Sequence, residues 1–141
     1  MTSKTNREVG VLILRLVLGF IFLMQGYGKV FSMGVSNVYQ ADFFLGTYQD
    51  LLPDFVIRAT AYFTSYAELI GGLLLVVGWK RDYALYLLGL VLVTVTFGHG
   101  LATPIWDLSH VSFRLIPLAA LLLLPKDWDR FTLDHWLAKK A

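Results

Sequence analysis

The groups able to do chemistry in this chain are one carboxylate and a few basic side chains set among apolar residues. Glu68 follows Ala61, Tyr62, Phe63 and Tyr66 and precedes the apolar run 69–77. A charge at the centre of a membrane helix costs about 2.5–3.5 kcal/mol even on insertion scales, so it is kept where it faces the bundle interior and meets a partner. Arg15 breaks the first apolar run and Arg114 the last, and each supplies a guanidinium. A buried carboxylate whose charge an arginine fixes is able to exchange a proton with a ligand oxygen. Glu68 is therefore the candidate catalytic group, and Arg15, Gln25, Lys29, His99 and Arg114 are the candidate ligand contacts. His99 and His110 flank a loop containing Pro104, Trp106 and Asp107. Imidazoles suit metal or haem, but no metal motif accompanies this pair, and the expectation is ordinary hydrogen bonding with no metal site.

The elements that must position these groups are membrane helices. Of the 141 residues, 57% are hydrophobic and 16% charged, against about 25% charged in a typical soluble domain. A bilayer core about 30 Å thick needs roughly 20 mainly apolar residues in a helix. Four stretches answer to that: 8–29, 55–79, 83–101 and a shorter one at 111–124. The connections are too short for a separate globular unit, so the expectation is one all-α domain over 1–141, a four-helix transmembrane bundle. With no cysteine, the chain alone cannot form disulfides, thiolate metal sites or iron–sulfur clusters. The net charge of +2 on scattered basic residues leaves no footprint for nucleic acid.

The basic residues set the expected orientation. Lys4 and Arg7 precede the first span, Lys80 and Arg81 join the second to the third, and Lys126, Arg130, Lys139 and Lys140 follow the fourth. Asp42, Asp50, Asp54 and Asp107 fall on the opposite side. The reading is N-in and C-in, with the first span retained as a helix because Arg15 interrupts it and no A-x-A cleavage site follows. Trp79, Tyr83, Trp128 and Trp136 mark the inner interface, and Tyr27, Tyr48 and Trp106 the outer one. In the first outer loop Phe44, Tyr48, Leu51 and Leu52 recur at helical spacing, which predicts a short interfacial helix serving as a lid or facing a substrate. Gly26 and Gly28 weaken the first helix, so it is expected to end near Lys29, whose amine reaches the outer headgroups. Thr132 is the expected N-cap of a short helix in the tail.

Helical spacing groups the polar residues into stripes. Arg15, Gly19, Phe22, Gly26 and Lys29 share one face of the first helix, and Ala61, Thr64, Ser65, Glu68, Gly71 and Gly72 share one face of the second. Small residues on both faces allow close packing, within the bundle or between protomers of a homo-oligomer. Gly89, Thr96 and His99 on the third helix, and His110, Arg114 and Pro117 on the fourth, complete the interior edge. At about 1.5 Å per residue, Glu68 lies roughly 16 Å from the inner ends, Arg114 roughly 15 Å and Arg15 roughly 10 Å. Glu68 is thus expected to bond Arg114, Arg15 or both. A network of this kind also suits a purely structural role, fixing helix register.

The order of several short motifs resembles the DoxX family of small bacterial membrane proteins. They are Leu14-Arg15-Leu16 through Gly19, Gln25-Gly26-Tyr27-Gly28-Lys29, Glu68-Leu69-Ile70-Gly71-Gly72 with Gly78, and Asp129-Arg130-Phe131-Thr132-Leu133-Asp134. Where the family often carries His, this chain has Gln25, which removes a protonatable group. The resemblance implies a multi-pass protein of the bacterial cytoplasmic membrane, with some relatives linked to quinone-dependent thiosulfate oxidation or to membrane-bound oxidoreductases. Two functions follow as expectations. One is a subunit of a quinone-linked system, taking electrons from a membrane or periplasmic oxidoreductase partner. The other is a non-enzymatic scaffold or assembly factor. A small transporter ranks below both, since only Pro117 interrupts a span.

Overall fold

The computed structural model describes residues 3–103 and 109–140, with the His110 side chain left out. Among them every regular element is helical. The order is α1 (Ser3–Tyr27), a π-helical continuation (Gly28–Met33), α2 (Val35–Gln40), a π-helical turn (Asp42–Gly46), α3 (Asp54–Val77), α4 (Arg81–Ala102), α5 (Ser109–Leu123), a 3₁₀ turn (Lys126–Trp128) and α6 (Leu133–Ala138). The loop with Pro104, Trp106 and Asp107 lies outside the described residues, as does the interface assigned to Trp106.

Three helical stretches are long and apolar enough to cross a membrane: Ser3–Met33, Asp54–Val77 and Arg81–Ala102. The fourth expected span, α5, has 15 residues, or roughly 22 Å at a helical rise of about 1.5 Å per residue. Large apolar side chains stand exposed along the outer faces, with Ile13, Val17, Phe20 and Met24 on α1 and Ile70, Leu73 and Val77 on α3. An apolar girdle this continuous marks a surface meant for something other than water. With the apolar helices it makes this a multi-pass membrane protein whose girdle contacts the lipid bilayer.

The core forms where the predicted stripes meet. Arg15, Gly19, Phe22 and Gly26 of α1 are buried, as are Ala61, Thr64, Ser65, Glu68, Gly71 and Gly72 of α3. These two helices make the most extensive contact in the fold and run antiparallel at glycine separation. A methyl group on Gly26 would overlap the backbone of Glu68 and Leu69, and one on Gly72 would overlap that of Leu23. The glycine stripes are thus used up inside one bundle. Leu18, Leu75, Leu85, Leu88 and Leu121 fill the remaining centre.

Two boundaries differ from expectation. The first helix does not end near Lys29 but continues in π-helical form to Met33, and Gly34, at φ 81°, stops it. The helix expected around Phe44 to Leu52 is not a continuous one. The first loop folds instead as α2, a π-helical turn and a bend, with Phe44, Leu45, Tyr48 and Leu52 packed on Tyr39, Ile57 and Ala61. The apolar spacing marked the right side chains, but they turn down onto the bundle as a lid. Its hinge side is fixed by a Tyr39 hydrogen bond to Asp54 and by Arg58 stacked 4.9 Å from the Tyr39 ring.

At the opposite end the chain knots itself closed. Gly78, at φ 72°, ends α3, its N–H reaching Leu74 and Leu75 while the Trp79 N–H reaches Leu74. That is the Schellman pattern, which a left-handed glycine permits. A Cβ at Gly78 would also strike Thr132, so the tail packs against this turn. Thr132 caps α6 as expected, accepting from the His135 N–H at 3.0 Å.

Candidate functional site

The six sequence-selected residues divide into two groups at opposite ends of the bundle. Glu68, Lys29, Gln25, Arg114 and His99 line one cavity, of about 400 Å³. Arg15 lies elsewhere.

Glu68 is 1% exposed. Its partner is Lys29, whose Nζ sits 2.7 Å from Oε2. The expectation that Lys29 would reach the headgroups is therefore overturned. Arg114 lies on the same cavity wall, close enough for its charge to act on Glu68, while its Nη1 donates to Gln25 Oε1 at 3.0 Å. Phe22 and Phe113 each lie 5.8 Å from its guanidinium carbon.

Arg15 is the second correction, because it does not approach Glu68. Its Nε donates to Asp129 Oδ1 at 3.1 Å, its Nη1 to the carbonyls of Leu75 and Val76 at 2.6 and 2.7 Å, and its Nη2 to Phe131 at 2.5 Å. Asp129, 5% exposed, also accepts from Arg81 Nη1 at 3.2 Å. Arg81 further donates to the carbonyls of Leu121 and Leu124. This cluster ties the ends of α3 and α5, the start of α4 and the tail to α1.

One geometric rule explains both corrections. Every Cα–Cβ bond in an α-helix tilts toward its N-terminus. Arg15 therefore leans toward the chain termini and away from Glu68. Lys29 leans back down the same helix, to the level of Glu68, and Glu68, on the antiparallel α3, leans up toward it. Counting Cα depth alone made Arg15 look reachable and left Lys29 too high.

The rest of the cavity wall combines apolar side chains from the lid and helices with a few hydroxyls. Phe43, Phe44 and Leu52 face Val56, Ile57, Val95 and Phe97, with Thr60, Thr64, Thr94 and Tyr48 between them. Tyr48 reaches across the lid to α4, where a Cβ added to Gly98 would lie 3.1 Å from its hydroxyl. Burial raises the pKa of this phenol above the ordinary 10.0. Tyr48, Thr60 and Thr94 were not singled out from sequence as site residues. Sequence places Tyr48 at the outer interface, within a segment that serves as a lid or faces a substrate, but the path of the lid that turns it inward has no local signal. Asp129 was missed as a buried group. The signal for it was Arg15 itself, since a guanidinium in an apolar helix demands acceptors at its own depth.

Chemically, the cavity offers an ion pair at its polar end, further donors from Arg114 and the hydroxyls, and an apolar wall. Largely apolar pockets with a few convergent polar groups are the usual form of small-molecule sites. The DoxX family model matches residues 10–100, which covers α1 through most of α4 and so includes Glu68, Lys29, Gln25 and His99. No curated protein and no solved structure matches the chain.

Proposed function

This chain belongs to the DoxX family, and on that premise we propose that it is a subunit of a quinone-linked oxidoreductase system in the bacterial cytoplasmic membrane. The observation that carries this reading is the cavity that joins the Glu68–Lys29 pair to a wall of Phe43, Phe44, Val95 and Phe97. A quinone has the matching division, a polar ring and an apolar tail. Reduction of a quinone to its quinol takes up two electrons and two protons. In this reading Glu68 exchanges one of those protons with a ring oxygen, Lys29 and Arg114 hold its charge state, and Gln25 and His99 position the ring. In this reading the electrons pass to or from a membrane or periplasmic oxidoreductase partner, the chain having no cysteine to hold an iron–sulfur cluster.

The same proposal includes four spans with both termini inside. The tail end gathers Lys4, Arg7, Lys80, Arg81, Lys126 and Arg130, the pattern of a cytoplasmic face. Single cysteines placed at Lys139 and Gln49 of this cysteine-free chain should be labelled from opposite sides of the membrane. For the ligand site, protein purified in mild detergent should carry or bind quinone with saturation. Binding unchanged by Glu68→Gln would contradict the assignment.

The Arg15–Asp129–Arg81 cluster favours a second reading, a scaffold or assembly factor. It devotes three buried charges to closing the chain ends, and Trp136 and Leu137 of the tail stand exposed for a partner. A stoichiometric partner recovered by affinity isolation, with no bound quinone, would favour this reading over the first.

A further inference from the structure

The ion pair leaves one oxygen of Glu68 unused. Lys29 bonds Oε2, while Oε1 makes no hydrogen bond among the described residues and is not sealed in the packing as Arg81 Nε is. A carboxylate held by an ammonium at 2.7 Å is acceptor-only. A quinone presents only carbonyl acceptors as well, so quinone against Oε1 sets acceptor against acceptor. A quinol, or any hydroxyarene, presents an O–H.

We propose that Glu68 Oε1 makes the cavity selective for the hydroxyl-bearing form of an alkylated aromatic ligand, a quinol or phenol rather than a quinone or an aryl ether. The proposal rests on reading the cavity as a ligand site and adds which chemical form it holds. The donors beside it, and the hydroxyls of Thr60, Thr64 and Thr94, which donate or accept, serve either form. Lys29 and Arg114 donate to an oxygen of either form, and the Tyr48 hydroxyl, which makes no hydrogen bond among the described residues, serves as donor to either. Of these groups, Oε1 alone accepts without donating. A site built to bond a hydroxyl rejects the analogue that lacks it more strongly than an apolar pocket rejects a misfit, because its own buried group is then left unpaired.

The test uses the full chain in lipid nanodiscs under anaerobic conditions and four probes: a short-chain alkylhydroquinone, the matching alkylquinone, an alkylphenol and its methyl ether. Hydrogen bonds to charged groups predict that each hydroxyl compound binds at least about tenfold more tightly than its partner. In Glu68→Gln, whose amide both donates and accepts, the ratio should fall to about threefold or less. Tyr48→Phe should weaken both members of each pair alike. Equal affinities in the wild type, or tighter binding of quinone and ether, would overturn the selectivity while leaving the ligand site standing. A ratio that persists in Glu68→Gln would overturn the assignment to Glu68. Saturable binding of none of the four probes would overturn both the selectivity and the site.

Discussion

Replacing Asp129 by Asn should loosen the whole tail end of the bundle. Asp129 is the shared carboxylate of Arg15, at 3.1 Å, and Arg81, at 3.2 Å. The residues are 5%, 1% and 6% exposed respectively, so water replaces little of what they lose. Removing one partner of a buried ion pair costs about 3–5 kcal/mol, because it leaves an uncompensated buried charge. Here two guanidiniums lose their counterion, but Arg15 keeps three carbonyl acceptors and Arg81 keeps two. Those bonds, and the amide oxygen of Asn, place the loss near the low end, about 3 kcal/mol. A loss of that size is a large part of the 5–15 kcal/mol typical of a folded domain and corresponds to a melting temperature lower by roughly 10 °C. The assay is thermal unfolding of wild type, Asp129→Asn, Arg15→Gln and the double variant in one detergent. The double variant should lose less than the sum of the singles, since the three groups act as one unit. A melting point for Asp129→Asn within about 2 °C of wild type, well under 1 kcal/mol by the same scaling, would refute the reasoning.

Other consequences can be checked with the same preparations. Gly26→Leu and Gly72→Leu should abolish the folded bundle, because even a Cβ at either position meets backbone rather than a movable side chain, whereas Gly10→Ala, with nothing within 4 Å, should melt like wild type. Lys29→Met should destabilise more than Lys29→Met with Glu68→Gln, since the double variant removes the stranded carboxylate as well; a thermal melt in which the single variant matches wild type would count against the pair. Ultraviolet titration of wild type minus Tyr48→Phe should show one phenol ionising above the ordinary 10.0, as burial raises it. A raised folded-state pKa means that the Tyr48 contribution to lid stability is fully present below pH 10 and is lost as pH rises through the folded value. A difference titration at or below 10.0 would contradict the buried placement.

Much of the scaffold was legible because membrane helices write themselves in composition. The apolar runs match all three long helices, and the spacing of four and three placed Gly19, Gly26 and Gly72 on the faces of α1 and α3 that meet, while Gly71 turns to Leu88 of α4. Thr132 announced its cap because Ser and Thr at that position accept from an N–H two or three residues on. The site was legible as a set of residue types and only partly as a set of partners. Glu68 and Arg114 meet at one cavity as helical spacing and depth suggested, and Gln25 and His99, which the depth count did not include, line it too. The pairing failed at Arg15 and Lys29, where side chains of several rotatable bonds reach along the helix axis and the direction of the Cα–Cβ bond decides which neighbour they meet. The lid was hidden for another reason. Its path depends on a π-helical turn and on Gly34 at positive φ, neither of which leaves a periodic trace in the sequence.

The most direct test of the site is a high-resolution map of the protein purified with its native lipids. Planar, ring-like density should occupy the cavity within hydrogen-bond reach of Glu68 and continue as a narrow tail past Phe44 and Phe97. An empty or water-filled cavity, with Lys29 and Glu68 still paired, would contradict it.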